Sequence, residues 1–115
     1  MKPRDVLMAA LLAAPTFVFA HHGWSEYDSS NTLKLTGKIL ESGYEHPHGH
    51  IRFEAPGKTW NVILAPPSRM ENRGLPKEWL KPGATATVEG YANRGKADEL
   101  RAERIIINGK TIELR

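Results

Sequence analysis

From Thr32 onward the chain alternates apolar and polar residues in short runs, each closed by glycine, proline or asparagine. That pattern specifies half-buried β-strands and leaves no room for a long helix. In the first run Leu33, Leu35, Gly37 and Ile39 fall on one face, with Thr32, Lys34, Thr36 and Lys38 on the other. Gly37, in mid-strand, marks a bend or a bulge. In the second run Gly49, Ile51 and Phe53 alternate with His48, His50 and Arg52, up to the turn residues 55–58. The third covers residues 59–64, turns Trp60, Val62 and Leu64 to one side, and stops at Pro66 and Pro67. Between residues 68 and 83 the period changes: Met70, Leu75, Trp79 and Leu80 fit one or two short helices. Ser68 is placed to cap the first, Gly74 to end it and Pro76 to open the second. A fourth strand covers 84–91 and a polar loop covers 93–99. Residues 100–115 read as a strand returned on itself by an Asn108–Gly109 turn.

Three strands, a helical connection and two more strands is the order of a small five-stranded Greek-key barrel of the OB type. The expected class is therefore all-β, with a short helical segment between strands 3 and 4. A curved first strand serves closure of such a barrel. An open antiparallel sheet crossed by one helix uses the same elements, but the matched strand lengths and the place of the helical segment favour the barrel.

The first twenty residues stand apart. MKPRDVLMAALLAAPTFVFA carries Lys2 and Arg4, then an apolar run from Val6 to Val18 broken only by Pro15 and Thr16. Val18 and Ala20 are the small residues that a signal peptidase reads. Cleavage after Ala20 is expected, with export to the periplasm and His21 as the new first residue. The apolar run is shorter than the roughly 20 residues of a spanning helix, so no membrane span is expected after cleavage. The organisation expected is a signal peptide at 1–20, a histidine-containing segment at 21–31 and the barrel domain at 32–115.

The 95 residues left after cleavage contain no cysteine, which excludes disulfides and thiolate chemistry. A chain of that size buries only about 60–65% of its unfolded surface, so a bound metal would add useful stability. Its 14 basic and 12 acidic side chains leave a net charge of +2. Such weak basicity does not imply a polyanion, and no nucleic-acid partner is expected.

The stretches HHGWSEYD, YEHPHGHIRFE, KTWNVILAPPSRMENRGL and RAERIIINGKTIEL together resemble a family of small exported bacterial proteins, the domain of unknown function 6152. The resemblance covers essentially the whole processed chain and is most specific in APPSRMENRGL. It implies a periplasmic one-domain β protein and brings no established activity.

All five histidines lie between residues 21 and 50. His46, His48 and His50 recur at every second position, so on a strand they would share a face, with Gly49 permitting a bend that lets the rings converge. Imidazole suits zinc and copper, and three such ligands with an open position describe an exchangeable site. The expected ligands are His46, His48 and His50, joined by His21 and His22. The expected metal is Cu(II) or Zn(II), because Met70 is the only sulfur after cleavage. A terminal His21 would add its α-amine, which titrates near pH 7.7–8.0. With one further histidine it would resemble the histidine brace of copper oxygenases and of some periplasmic copper carriers, without an identifiable axial tyrosine, although Tyr27 and Tyr44 are nearby in sequence. The acidic neighbours available to orient such ligands are Glu26, Asp28 and Glu45.

The opposing reading is a metal-free module that binds a periplasmic protein or small ligand through Arg69, Glu71 and Arg73, although a braced helix explains that segment as well. Trp60 and Trp79 fit the core, leaving Trp24 as the surface aromatic. No nucleophile motif, phosphate loop or HExxH is present, which leaves open only metal-dependent catalysis with Glu26, Asp28 or Glu45 as base beside a bound water.

Overall fold

A computed structural model describes residues 23–115. The segment expected to be a signal peptide, together with His21 and His22, lies outside the described residues. Six strands form one sheet: β1 (Leu33–Gly43), β2 (His50–Ala55), β3 (Lys58–Ile63), β4 (Thr85–Ala92), β5 (Glu99–Ile107) and β6 (Lys110–Glu113). Their hydrogen-bonded order is β3-β2-β1-β4-β5-β6. A parallel pairing of Asn61–Ile63 in β3 with Glu99–Arg101 in β5 joins the ends, so the first five strands close into the expected barrel and no open sheet remains. β6 is the return strand, and Asn108 and Gly109 both take positive φ, 51° and 75°, as a tight hairpin turn requires.

The inward residues are those that alternation selects. Ile39, Ile51, Phe53, Val62, Val88 and Leu100 are fully buried, and Trp60 joins them while Trp79 packs against their edge. Two bulges shift the alternation. In β1, Ile39 faces Phe53 while Glu41 faces Arg52, so Leu40 is the extra residue. It is also the one large apolar side chain that stays exposed among the described residues. In β5, Glu103 is the extra residue between Ala102, opposite Gly90, and Arg104, opposite Glu89. The inward set therefore changes from Leu100 and Ala102 to Ile105 and Ile107.

Gly37 is not the bulge. A β-carbon there would collide with the Glu54 carbonyl oxygen, so glycine is needed because the backbones of β1 and β2 approach too closely for a side chain to fit between them.

The connection between β3 and β4 holds one α-helix, α1 (Pro67–Asn72), and a 3-10 turn, Lys77–Leu80. Ser68 does not cap α1; the helix starts two residues earlier than such a cap would set it, with Pro66 in the capping position and Pro67 in its first turn. Proline fits there because its missing N–H would have had no partner. Gly74, at φ 92°, ends the helix as expected. Among the described residues no helix is long and apolar enough to cross a membrane.

Candidate functional site

The segment before β1 folds back onto the barrel. A 3-10 turn at Trp24–Glu26 leads to Tyr27, which bridges to Asn93. The Asp28 amide donates to the Ala92 carbonyl at 2.9 Å, and the Arg94 amide to the Glu26 carbonyl at 2.9 Å. Residues 24–28 thus lie along the end of β4 and the loop after it. Tyr27 is the anchor: it is 5% exposed, and its hydroxyl donates a short hydrogen bond to Glu99, which also accepts from Asn93.

Burial, with the hydrogen bond to Glu99 and that carboxylate's charge, pushes the Tyr27 phenol up to about 12. Unfolded tyrosine titrates near 10. Below pH 10 both states keep the proton and the stabilisation is complete. Between 10 and 12 only the unfolded chain loses it, so stability falls by roughly 2–3 kcal/mol and then levels off. Tyr27→Phe is expected to remove this alkaline loss, measured as urea midpoints of the two proteins from pH 9 to 12. Parallel curves would contradict the assignment.

Trp24 covers Arg101 of β5, with the guanidinium carbon 4.5 Å from the indole centroid, and Arg115 sits 4.4 Å from the same ring. Tyr91 meets that indole edge-on at 6.1 Å. Arg101 is 9% exposed. Burial pushes its pKa down; Tyr27 opposes this, the charges of Arg69 and Arg115 reinforce it, and Glu99 opposes it again. The Arg101 guanidinium reaches Nε2 of His48 at 3.4 Å. Because arginine only donates, that contact requires an Nε2 that carries a lone pair.

The three histidines of the 46–50 stretch do not share a face. Residues 44–49 are not strand, and only His50 lies on the pleat of β2. The loop is set by Gly49, whose amide donates to Ala65 and whose carbonyl accepts from Leu64, each at 2.8 Å. A β-carbon at Gly49 would lie 2.5 Å from the Met70 methyl, so the chain turns tightly over that core side chain. His50 pairs with Gly43 of β1 and its ring lies over that glycine. His48 instead faces β5, and His46 is exposed. Among the described residues no group of three His, Asp or Glu side chains is arranged to hold a metal.

The other expected participants are placed elsewhere. Asp28 accepts from the Ser30 amide and hydroxyl, which hold its carboxyl below the usual range. Glu45 lines an open cleft of about 450 Å³ between residues 42–45 and 77–81. The Tyr44 hydroxyl donates to the Leu75 carbonyl at 2.6 Å, so Tyr27 and Tyr44 both direct their hydroxyls to protein partners. Arg69 donates to the Leu114 carbonyl at 3.0 Å, and Arg73 to the backbone oxygens of Glu113 at 2.9 Å and Arg115 at 3.0 Å. These bonds brace α1 against β6 and the residues after it; Glu71 is exposed. Arg101, Arg115 and Glu99 carry no motif for spacing to register: Glu99 and Arg101 open β5 ahead of its bulge, and Arg115 lies beyond β6.

The model of a family of unknown function, DUF6152, matches residues 9–101. None of the curated proteins matches the chain. Among solved structures, the fold is similar to part of the ZRD-deleted mutant of TiaS in complex with agmatine, at 18% identity and a TM-score of 0.54 over 76% of this chain and 27% of that one. It is also similar to part of TiaS in its complex with a tRNA and ATP, at 20% identity and a TM-score of 0.52 over 77% of this chain and 20% of that one. This chain spans about a quarter or less of those proteins, and at such identity the likeness is one of fold. The chain belongs to the family of unknown function DUF6152.

Proposed function

We propose that the protein is exported to the periplasm, cleaved after Ala20, and binds Cu(II) or Zn(II) at a composite site. Its ligands are the α-amine and imidazole of a terminal His21 together with His48, with His22 beside them; its role is to carry or buffer the metal. The observation that supports this reading is the docking of residues 24–28 along the end of β4 and the loop after it. Trp24 stacks on the arginine that touches His48, and His22 is only two residues from Trp24. An extended chain advances at most about 3.6 Å per residue, so the two or three steps from Trp24 to position 22 or 21 have a reach of about 7–11 Å.

The chemistry of the donors is suitable. A metal takes a deprotonated imidazole nitrogen, and the Arg101 contact asks for the same lone pair on Nε2 of His48. At 3.4 Å that contact is at the long limit of a hydrogen bond and is readily displaced. His46 and His50 are left out of the ligand set, since His50 covers Gly43 and His46 points to solvent.

Calorimetric titration with Cu(II) and with Zn(II) tests the assignment. His48→Ala is expected to weaken binding about 100-fold or more, while His46→Ala and His50→Ala leave it near the native value. Equal losses from all three substitutions, or none from His48→Ala, would overturn it.

A further inference from the structure

We infer that the cleft between residues 42–45 and 77–81 binds a short extended peptide with both termini charged, taken up as an added strand on the end of β1. The inference does not rest on the metal reading, because none of the residues lining the cleft is among the proposed ligands.

The cleft holds about 450 Å³, within the ordinary range of ligand sites. One wall is the end of β1. The edge of β1 that turns away from β2 pairs with β4 as far as Lys38, and Ile39 then bonds Ala84 and Gly83 at 2.8 and 2.7 Å. Past the bulge that edge has no partner strand; Ser42 and Gly43 pair only with Ile51 and His50 of β2. A bare strand edge offers main-chain donors and acceptors to an extended peptide, while charged groups beside it choose the sequence or the termini. The opposite wall is the 3-10 turn Lys77–Leu80, held to the barrel by the fully buried Leu80. The Tyr44 hydroxyl, bound at 2.6 Å to the Leu75 carbonyl just ahead of that turn, ties the two walls together. The width of the cleft is therefore set before any ligand arrives.

The lining sets Lys77 and Lys81 against Glu45 and Glu78. Among the described residues none of these four makes an ion pair or a side-chain hydrogen bond. That holds even for Glu78 and Lys81, which are three positions apart, the spacing at which a 3-10 turn brings side chains into line. Two ammonium groups and two carboxylates thus share one cleft without neutralising each other. A lone cation or a lone anion answers half of this lining, and a zwitterion answers both halves. Among small zwitterions a free amino acid has no peptide group to offer the edge of β1. An extended peptide has both the amides and the two charged ends.

The test is an NMR titration of the metal-free, isotopically labelled protein with trialanine at neutral pH and low salt. Saturable one-to-one binding is expected, with the amide shifts centred on residues 42–45 and 77–81. N-acetyl-trialanine amide, which has lost both charges, is expected to bind about tenfold more weakly. Trialanine methylated on its amide nitrogens keeps both charges but loses its main-chain donors, and a similar weakening is expected. Lys81→Gln and Glu78→Gln, both at exposed positions, leave the barrel intact and are each expected to lower the affinity for trialanine. No saturable binding, shifts centred on other residues, or an affinity indifferent to both substitutions would overturn the proposal. Full affinity of the blocked or the N-methylated peptide would overturn it equally.

Discussion

A single residue placed ahead of His21 is expected to lower the affinity of the processed protein for Cu(II) by about 100-fold or more. The added residue converts the α-amine to an amide, and a chelate built from the amine and imidazole of one residue loses a donor. The free amine titrates near 7.7–8.0, so at neutral pH a metal ion displaces its proton at small cost. The barrel itself begins at Leu33, and the extension leaves thermal unfolding of the metal-free protein unchanged. Calorimetry on the two forms, side by side, checks the result. Equal affinities would remove the terminal amine from the site and leave the imidazoles alone.

Phe53→Ala is expected to cost 3–5 kcal/mol, roughly the span observed for buried aromatic truncations. Phe53 is fully buried in mid-β2, opposite Ile39 across one ladder and Trp60 across the other. It therefore touches the strands on both sides, and its removal opens a cavity that neither can fill by a local shift. Domains of this size have only about 5–15 kcal/mol in total, so the variant is brought close to the unfolding threshold. Urea denaturation followed by circular dichroism measures the change. A loss below about 1 kcal/mol would mean that the barrel collapses around the gap.

Much of the fold was legible because strand faces repeat every two residues and the turns carry their own chemistry. Ile51 and Phe53, Trp60 and Val62, and the Asn108–Gly109 hairpin all stand where alternation and turn preference put them. Bulges are what alternation cannot register. One extra residue at Leu40 and another at Glu103 each change which side chains face inward. The histidines failed the same rule for a related reason. Period two holds only within a strand, and the chain leaves β1 at Gly43 and enters β2 at His50. His46 and His48 therefore lie on a loop that turns over Met70, and the three rings are sent in different directions. The partnership of Trp24 with Arg101 carries no signal in spacing at all, since 77 positions separate them.

The central proposal is that a terminal His21 and His48 hold one metal ion together. Paramagnetic broadening by Cu(II) tests it most directly, using amide and histidine-ring resonances of the isotopically labelled processed protein. With the first equivalent of metal, signals of Gly23, Trp24, His48 and Arg101 are expected to broaden together, while those of His46 and of Gly43 beneath His50 stay sharp. Loss of the His46 and Gly43 signals first, with residues 23–28 unaffected, would contradict the composite site.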